Sequence, residues 1–198
     1  MKPYADTTDS RFHGTTILAV KDKNQLVMAG DGQVTLGSTV IKHHARKVRR
    51  IYKDRILVGF AGATADALTL TEKLEEKLER YNGSLTRAAV EMAREWRTDK
   101  YLRRLEALML AADGNTVLLI SGNGDVIEPD QAAVAIGSGG VAAQAAAMAL
   151  LSETDLSARQ IVERAMNIAG TLCIYTNDQI TIDELPIHAK NTPASPET

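Results

Sequence analysis

Four polar residues of this 198-residue chain, Thr15, Asp31, Lys47 and Ser138, lie at the ends of apolar segments, where side chains can reach a substrate. Each also has an ordinary reading: a residue leading into a strand, a turn aspartate, a solvated lysine and a loop serine between glycines. A threonine hydroxyl is a poor nucleophile unless a base takes its proton. The four are therefore candidates for a shared site, with Thr15 as the nucleophile.

The Gly14–Thr15 junction supports that choice. Residues 1–14 are polar and lack apolar periodicity, whereas an apolar, β-branched run typical of a core strand begins at Thr15. Cleavage after Gly14 would give Thr15 a free α-amino group, with a reference pKa of about 7.7–8.0, which can act as a base near neutral pH. Nucleophile and base would then belong to one residue. A floppy terminus that runs into an ordinary strand is the commoner alternative.

Other kinds of site have weaker support. The segment Gly137–Gly140 lacks the Gly-Lys-Ser/Thr ending of a phosphate loop. Because His43 and His44 are adjacent, they do not share a face of a helix or strand, and a surface position is favoured over metal binding. The basic stretch Lys42–Arg55 offers only Tyr52 for base stacking, in a chain of net charge -2, which argues against nucleic acid.

Composition is typical of a soluble globular protein. No apolar run is long enough to span a bilayer, and the first residues lack the apolar segment of an export signal. The single cysteine, Cys173, cannot form an intrachain disulfide, which suits a reducing compartment. We expect a cytoplasmic protein with a propeptide at 1–14, one domain at 15–186 and a disordered tail at 187–198.

Hydrophobic periodicity predicts strands and helices in blocks. Strands are expected over 16–21, 26–30 and 56–61, then an amphipathic helix carrying Leu70, Leu74 and Leu78, and a second helix from about Leu85 to Ala112 with Leu105, Leu108 and Met109 facing inward. Strands over 116–120, 126–127 and 133–136 follow, then an alanine-rich helix to about Leu151. A capping box, Ser157–Gln160, opens the last helix, Gly170 ends it, and strands over 172–176 and 179–182 close the domain.

The predicted strands come in hairpins and do not alternate singly with helices. That arrangement argues against a doubly wound parallel sheet. It favours an α+β fold in which two antiparallel sheets stack and a helix pair covers each outer face.

Ten short motifs occur in order along the chain: Thr15-Thr16-Ile17, Ala29-Gly30-Asp31-Gly32-Gln33, Thr35-Leu36-Gly37, Arg46-Lys47-Val48-Arg49-Arg50, Gly59-Phe60-Ala61-Gly62, Ala65-Asp66-Ala67, Glu95-Trp96-Arg97-Thr98-Asp99, Ser121-Gly122-Asn123-Gly124-Asp125, Ala135-Ile136-Gly137-Ser138-Gly139-Gly140 and Cys173-Ile174-Tyr175-Thr176-Asn177. Together they resemble the HslV (ClpQ) family of bacterial, proteasome-related peptidases, and the likeness runs from Thr15 to about Leu185. The resemblance implies a threonine-type N-terminal-nucleophile hydrolase with a four-layer αββα sandwich.

The resemblance also implies a role for each site residue. Lys47 would lie beside the Thr15 hydroxyl and favour the neutral amine and the developing alkoxide. Asp31 would neutralise and orient Lys47, and Ser138 would hydrogen-bond near the α-amine. The backbone N–H of Gly62 would stabilise the tetrahedral oxyanion.

A cation and several partners follow from the same resemblance. Backbone carbonyls of Gly170, Cys173 and Thr176 would hold a sodium ion, and no organic cofactor is expected. The family assembles as two stacked six-membered rings around a sealed chamber, and the HslU AAA+ unfoldase uses ATP to feed in unfolded protein chains. Neither nucleic acid nor a membrane is an expected partner.

Two alternatives to an active ring protease stay open. One is a catalytically silent ring subunit, which the presence of all four polar residues disfavours. The other is a different N-terminal-nucleophile hydrolase, such as a small-molecule amidase or a proteasome β-subunit. The fourteen residues before Thr15 exceed what methionine removal can clear, so we expect self-cleavage, in which the Thr15 hydroxyl attacks the Gly14 carbonyl with a water as base.

Overall fold

A computed structural model of the chain describes residues 12–13, 15–62, 64–102 and 107–187. Most of the expected propeptide, 1–14, and nearly all of the expected tail, 187–198, lie outside the described residues. The exception in the propeptide is β1 (Phe12–His13), which pairs antiparallel with β4 (Val34–Leu36).

Strands and helices follow the predicted block order. After β1 come β2 (Thr16–Lys21), β3 (Gln25–Gly30), β4, β5 (Thr39–Lys42), β6 (Val48–Ile51), β7 (Ile56–Gly62), α1 (Thr64–Arg80), α2 (Leu85–Thr98), β8 (Ala107–Ala112), β9 (Val117–Ser121), β10 (Val126–Ile127), β11 (Ala133–Gly137), α3 (Gly140–Glu153), α4 (Ala158–Leu172) and β12 (Thr181–Pro186).

Two antiparallel sheets lie at the centre of the described domain. One has the strand order β11-β2-β3-β12 and the other β10-β9-β8-β7-β6, while β1, β4 and β5 form a small third sheet. Ile17 and Met28 of the first sheet pack against Leu57 and Leu110 of the second. Their neighbours on the opposite face, such as Leu18, pack towards α3 and α4. Both faces of β2 are therefore buried, which explains its continuous apolar run.

Each sheet carries a helix pair on its outer face. Helices α1 and α2 cover the second sheet, with Leu70, Leu74, Leu78 and Trp96 fully buried against it. Helices α3 and α4 cover the first sheet through alanines and residues such as Ile161. This layering confirms the predicted four-layer α+β sandwich.

The prediction of one helix from Leu85 to Ala112 is wrong. Helix α2 ends at Thr98, where the Asp99 carboxylate accepts backbone N–H groups from Tyr101 and Leu102 at 2.7 and 3.0 Å and turns the chain. Residues 107–112 instead form β8, paired with β7 on one side and β9 on the other. Alanine, leucine and methionine favour helices, but pairing on both edges overrides that weak local preference. Leu105 lies outside the described residues.

The chain around the last helix also departs from expectation. The capping box is confirmed, since Ser157 and Gln160 each accept the other's backbone N–H. Helix α4, however, continues through Gly170 to Leu172, and residues 172–176 form no strand. A turn closed by Thr176 N–H donating to Cys173 O, at 3.0 Å, takes their place. The β-branched and aromatic residues that suggested a strand lie in a connection that pairs with none of the described strands.

The basic region after Asp31, to which no strand was assigned from the sequence, contains the three strands β4, β5 and β6. In β6, Val48 and Ile51 are buried while the two arginines between them are exposed, so β6 forms the edge of the second sheet. Val48 and Ile51 pack into different core clusters on opposite faces of the sheet, so β6 has no alternating pattern that would mark it as a strand.

Candidate active site

Thr15 and Asp31 are brought together by the β2–β3 hairpin. Thr15 immediately precedes β2 and Asp31 immediately follows β3, and the antiparallel register pairs Ile17 with Gly30. The start of one strand therefore lies beside the end of the other. Asp31 N–H donates to Thr16 O at 3.1 Å, which extends the pairing to the site itself.

The Asp31 carboxylate is fully buried and accepts three donors. Its Oδ1 accepts the backbone N–H of Thr16 at 2.7 Å and the Lys47 ammonium at 2.8 Å, and its Oδ2 accepts the backbone N–H of Gln33 at 2.9 Å. A buried carboxylate with a cationic partner and several hydrogen bonds is well compensated. One oxygen thus joins Lys47 to the residue that follows Thr15.

Lys47 is the cation of this cluster. Its side chain is 9% exposed, and Nζ also donates to the backbone carbonyl of Gln33 at 2.6 Å. Burial lowers the pKa of Lys47, and the charge and hydrogen bond of Asp31 partly offset that effect. A cation held at this point disfavours protonation of a neighbouring amine and favours an alkoxide.

Thr15 is 8% exposed and is anchored through its backbone. Its carbonyl oxygen accepts the N–H of Ser138 at 2.7 Å. The preceding residue, Gly137, has φ +90°, and a Cβ there would lie 2.1 Å from the same oxygen. The turn between β11 and α3 can hold Thr15 in this way only with glycine at 137. The structure assigns this anchoring to the Ser138 backbone, and the Ser138 side chain is exposed beside it.

Gly62 reaches the same end of the domain from the other sheet. It is the last residue of β7 and has φ +152°, which favours glycine. A Cβ on Gly137 would lie 3.3 Å from the Cβ of Ala61, so the end of β7 packs against the Thr15 anchor. The predicted residues Thr15, Asp31, Lys47 and Ser138 therefore form one connected cluster, with Gly62 beside it.

Two further polar residues, Thr16 and Gln33, belong to this cluster and were not predicted as site residues. Thr16 is fully buried; its Oγ1 accepts the N–H of Gly139 at 2.9 Å and lies 2.7 Å from Thr176 Oγ1. Gln33 is also buried and contacts both Asp31 and Lys47. Thr16 and Gln33 each have one partner more than a hundred residues away along the chain, Thr176 and Ile174, so no local sequence pattern marks them.

The residues predicted to hold a cation lie around the C-terminus of α4. Gly170 is in the last turn of the helix, Cys173 follows its end, and Thr176 closes the next turn. A Cβ on Gly170 would lie 3.3 Å from Asn177 O, so the connection folds back onto the helix end. Backbone carbonyls at a helix C-terminus carry partial negative charge and suit a hard monovalent cation.

The remaining features of the described residues add no competing site. His43 and His44 are exposed, as expected, and within the described part of the chain no group of three His, Cys, Asp or Glu side chains is arranged to hold a metal. None of the described helices has the length and apolarity needed to cross a membrane.

Comparisons with known proteins agree on one family. The proteasome subunit family matches residues 11–185. The ATP-dependent protease subunit HslV of Syntrophobacter fumaroxidans is 61% identical over 173 residues, which cover 87% of this chain and 97% of that protein. The crystal structure of eukaryotic HslV from Trypanosoma brucei superposes with a TM-score of 0.83 at 47% identity, covering 86% of this chain and 99% of that one.

Proposed function

Since the chain belongs to the proteasome subunit family, in its HslV branch, we propose that it is the proteolytic subunit of an ATP-dependent protease with Thr15 as nucleophile. The observation that carries this proposal is the shared Asp31 oxygen, which binds both the N–H of Thr16 and the Lys47 ammonium. A buried cation is thereby held close to Thr15, the residue that would carry both a hydroxyl and a free α-amine after cleavage at Gly14.

The proposed reaction is acyl transfer to Thr15 followed by hydrolysis. The free α-amine takes the proton of the Thr15 hydroxyl, directly or through one water, while Lys47 stabilises the alkoxide. Oγ1 attacks the peptide carbonyl, and the N–H of Gly62 donates to the oxyanion. When the tetrahedral intermediate collapses, the α-ammonium returns the proton to the leaving amine. Water, deprotonated by the α-amine, then attacks the ester and releases the peptide acid.

Removal of residues 1–14 is proposed to use the same hydroxyl. Before cleavage Thr15 has no free α-amine, so a water serves as base while Oγ1 attacks the Gly14 carbonyl. The C–N bond breaks to leave an ester on Oγ1, and water hydrolyses it. We expect Lys47→Ala to slow this step, which intact-mass measurement follows over time; maturation at the normal rate in that variant would argue against a shared site.

The decisive test of the function combines the N-terminus with a point variant. We expect the purified protein to begin at Thr15, and Thr15→Ala to abolish peptide hydrolysis while the assembly stays intact. A protein that retains its first residues, or unchanged turnover by Thr15→Ala, would refute the proposal. Full-rate turnover of a small amide with no ATPase present would instead favour an amidase.

Self-association in two stacked six-membered rings is supported by the surface of α3. The helix has no charged residue before Glu153, and Val141 and Met148 are 85% and 41% exposed. A helix without a polar face is stable when both sides are covered, so a second copy is the proposed cover. An HslU-type AAA+ unfoldase and unfolded proteins are the other proposed partners, in the cytoplasm.

A sodium ion is proposed at the end of α4. Carbonyl oxygens of Gly170, Cys173 and Thr176 would coordinate it, and the ion would neutralise the negative end of the helix. We expect replacement of sodium by choline to lower the unfolding temperature of the assembled protein. No change in that temperature would contradict the proposal.

A further inference from the structure

Gln33 makes four hydrogen bonds from a buried position, 6% exposed, two residues after Asp31. Its backbone N–H donates to Asp31 Oδ2 at 2.9 Å, and its backbone carbonyl accepts the Lys47 ammonium at 2.6 Å. Its side-chain amide, Nε2, donates to Thr35 Oγ1 at 3.0 Å and to the carbonyl of Ile174 at 2.8 Å. Backbone and side chain therefore bind two different parts of the molecule.

We propose that Gln33 is the positioning residue for Lys47. Its amide, held by Thr35 and Ile174, fixes the backbone carbonyl on which the ammonium rests. This inference builds on the catalytic roles proposed above for Thr15 and Lys47, and it adds a residue for which the family resemblance implied no role.

The geometry of the ammonium explains why this carbonyl matters. A lysine ammonium has three protons, in a tetrahedral arrangement. Asp31 Oδ1 and Gln33 O take two of them, and these two directions together determine the third. The Gln33 carbonyl is a second fixed acceptor beside Asp31. It restricts where the ammonium lies relative to the Asp31 oxygen that also binds the N–H of Thr16.

Ile174 belongs to the connection between α4 and β12, residues 173–180, which is tied to the site at three points. Besides the Gln33 contact, Thr176 Oγ1 lies 2.7 Å from Thr16 Oγ1, and Asn177 Oδ1 accepts the N–H of Gly32 at 3.0 Å. Of these contacts, the one through Gln33 leads directly to an acceptor of Lys47. The conformation of residues 173–180 is therefore transmitted to the lysine.

The charged groups around the Thr15 α-amine determine how kcat should depend on pH. Asp31 and Lys47 are the ion pair held against the start of β2. The 173–180 connection contains Cys173 and Tyr175, which are both half-buried, and its acid, Asp178, is exposed. The β11–α3 turn contributes uncharged Ser138. Lys47 is thus the cation among the described residues of this cluster, and its position affects the pKa of the amine directly.

The test compares Gln33→Met with Gln131→Met. The first keeps the shape of the side chain but removes both amide hydrogen bonds. The second makes the same change at an exposed glutamine in the connection between β10 and β11. Each variant is prepared with Thr15 as its first residue, from a cleavable tag, so that maturation does not enter. Peptide hydrolysis is measured as kcat and KM against pH, with the unfoldase present.

We expect kcat of Gln33→Met to fall about tenfold, the factor that corresponds to one net hydrogen bond, with KM unchanged. The acid limb of its kcat profile should move to higher pH, because a displaced Lys47 depresses the pKa of the α-amine less and more of the amine is protonated. Gln131→Met should match the parent protein. Thr35→Val, which removes one acceptor of the amide, should shift the limb in the same direction by a smaller amount.

The inference is overturned if the acid limb stays in place in both Gln33→Met and Thr35→Val, whether or not kcat falls. A purely structural defect would lower activity without changing the pKa of the amine. Thr15→Ala separates this result from failure of the proposed function. If Thr15→Ala still hydrolyses peptide, the proposed nucleophile is wrong; if it is inactive and the limb does not move, only the role of Gln33 is wrong.

Discussion

Replacing Asp31 by asparagine tests the central electrostatic contact of the site, because it removes one charge and keeps the side-chain shape. The amide oxygen can occupy the Oδ1 position and still accept from Thr16 and Lys47. In the parent protein the N–H of Gln33 donates to Asp31 Oδ2. In the variant that N–H faces the amide nitrogen of Asn at position 31, which cannot accept it. The variant therefore loses charge assistance in two hydrogen bonds and leaves one buried donor opposite another.

The structure supports an estimate of the cost. Loss of charge assistance costs about 1 kcal/mol for each of the two bonds, and an unpaired buried donor costs roughly 2 kcal/mol. The free energy of unfolding should fall by about 4 kcal/mol, which lowers the unfolding temperature by about 10 °C for a domain of this size. The pKa of Lys47, already lowered by burial, should fall further because the opposing effect of Asp31 is gone.

Calorimetric unfolding at pH 7 and fixed protein concentration measures this loss, with peptide hydrolysis as a second readout. Asp183→Asn is the matched control, since Asp183 Oδ1 accepts Arg50 Nε at 3.0 Å in a more exposed ion pair. That change should cost less than about 1 kcal/mol. If both variants lost the same free energy of unfolding, this would refute the claim that the buried Asp31–Lys47 pair contributes more to stability than the more exposed Asp183–Arg50 pair.

Two further substitutions test the anchor of Thr15 and the helix pair. Gly137→Ala should lower the free energy of unfolding in urea by at least about 2 kcal/mol, because its Cβ would lie 2.1 Å from Thr15 O. The control Gly140→Ala, whose Cβ has its nearest contact at 3.4 Å, should be nearly neutral. Glu95→Gln should cost roughly 1 kcal/mol at pH 7. Hydrogen bonds from Lys73 and Lys77 hold the pKa of Glu95 below its ordinary value of 4.5. The stabilisation by Glu95 is thus present above pH 4.5 and is lost as pH falls through the lowered pKa.

Each of these results has a clear contradicting outcome. Equal stability of the two glycine variants would show that the β11–α3 turn adapts to a side chain. A difference between the parent protein and Glu95→Gln that persists in acid, after the carboxylate is protonated, would show that packing and not charge carries the effect.

Local patterns predicted the β2–β3 hairpin, and in the structure this hairpin brings Thr15 close to Asp31. An antiparallel pair joined by a short turn places the residue before the first strand beside the residue after the second. The amphipathic spacing of Leu70, Leu74 and Leu78 likewise predicted α1. These features depend on residues close together in the chain, so their signals are present in short windows of sequence.

Residues 107–112 show where such signals fail. Their alanine, leucine and methionine content favours a helix, but hydrogen bonding to β7 and β9 makes them a central strand. Gln33 is a second case. Its backbone neighbours are local, yet the carbonyl that holds its side chain belongs to Ile174, 141 residues further along the chain.

The sequence by itself thus determined the candidate nucleophile, the block order of strands and helices and, through its motifs, the family to which the site belongs. Only the tertiary structure decided which strand fills the centre of the second sheet and which residues hold Lys47 in place. The physical reason is that helix and strand propensity and turn chemistry depend on residues close together in the chain. Burial and hydrogen-bond satisfaction depend on residues that are distant in sequence and become neighbours only in the folded protein.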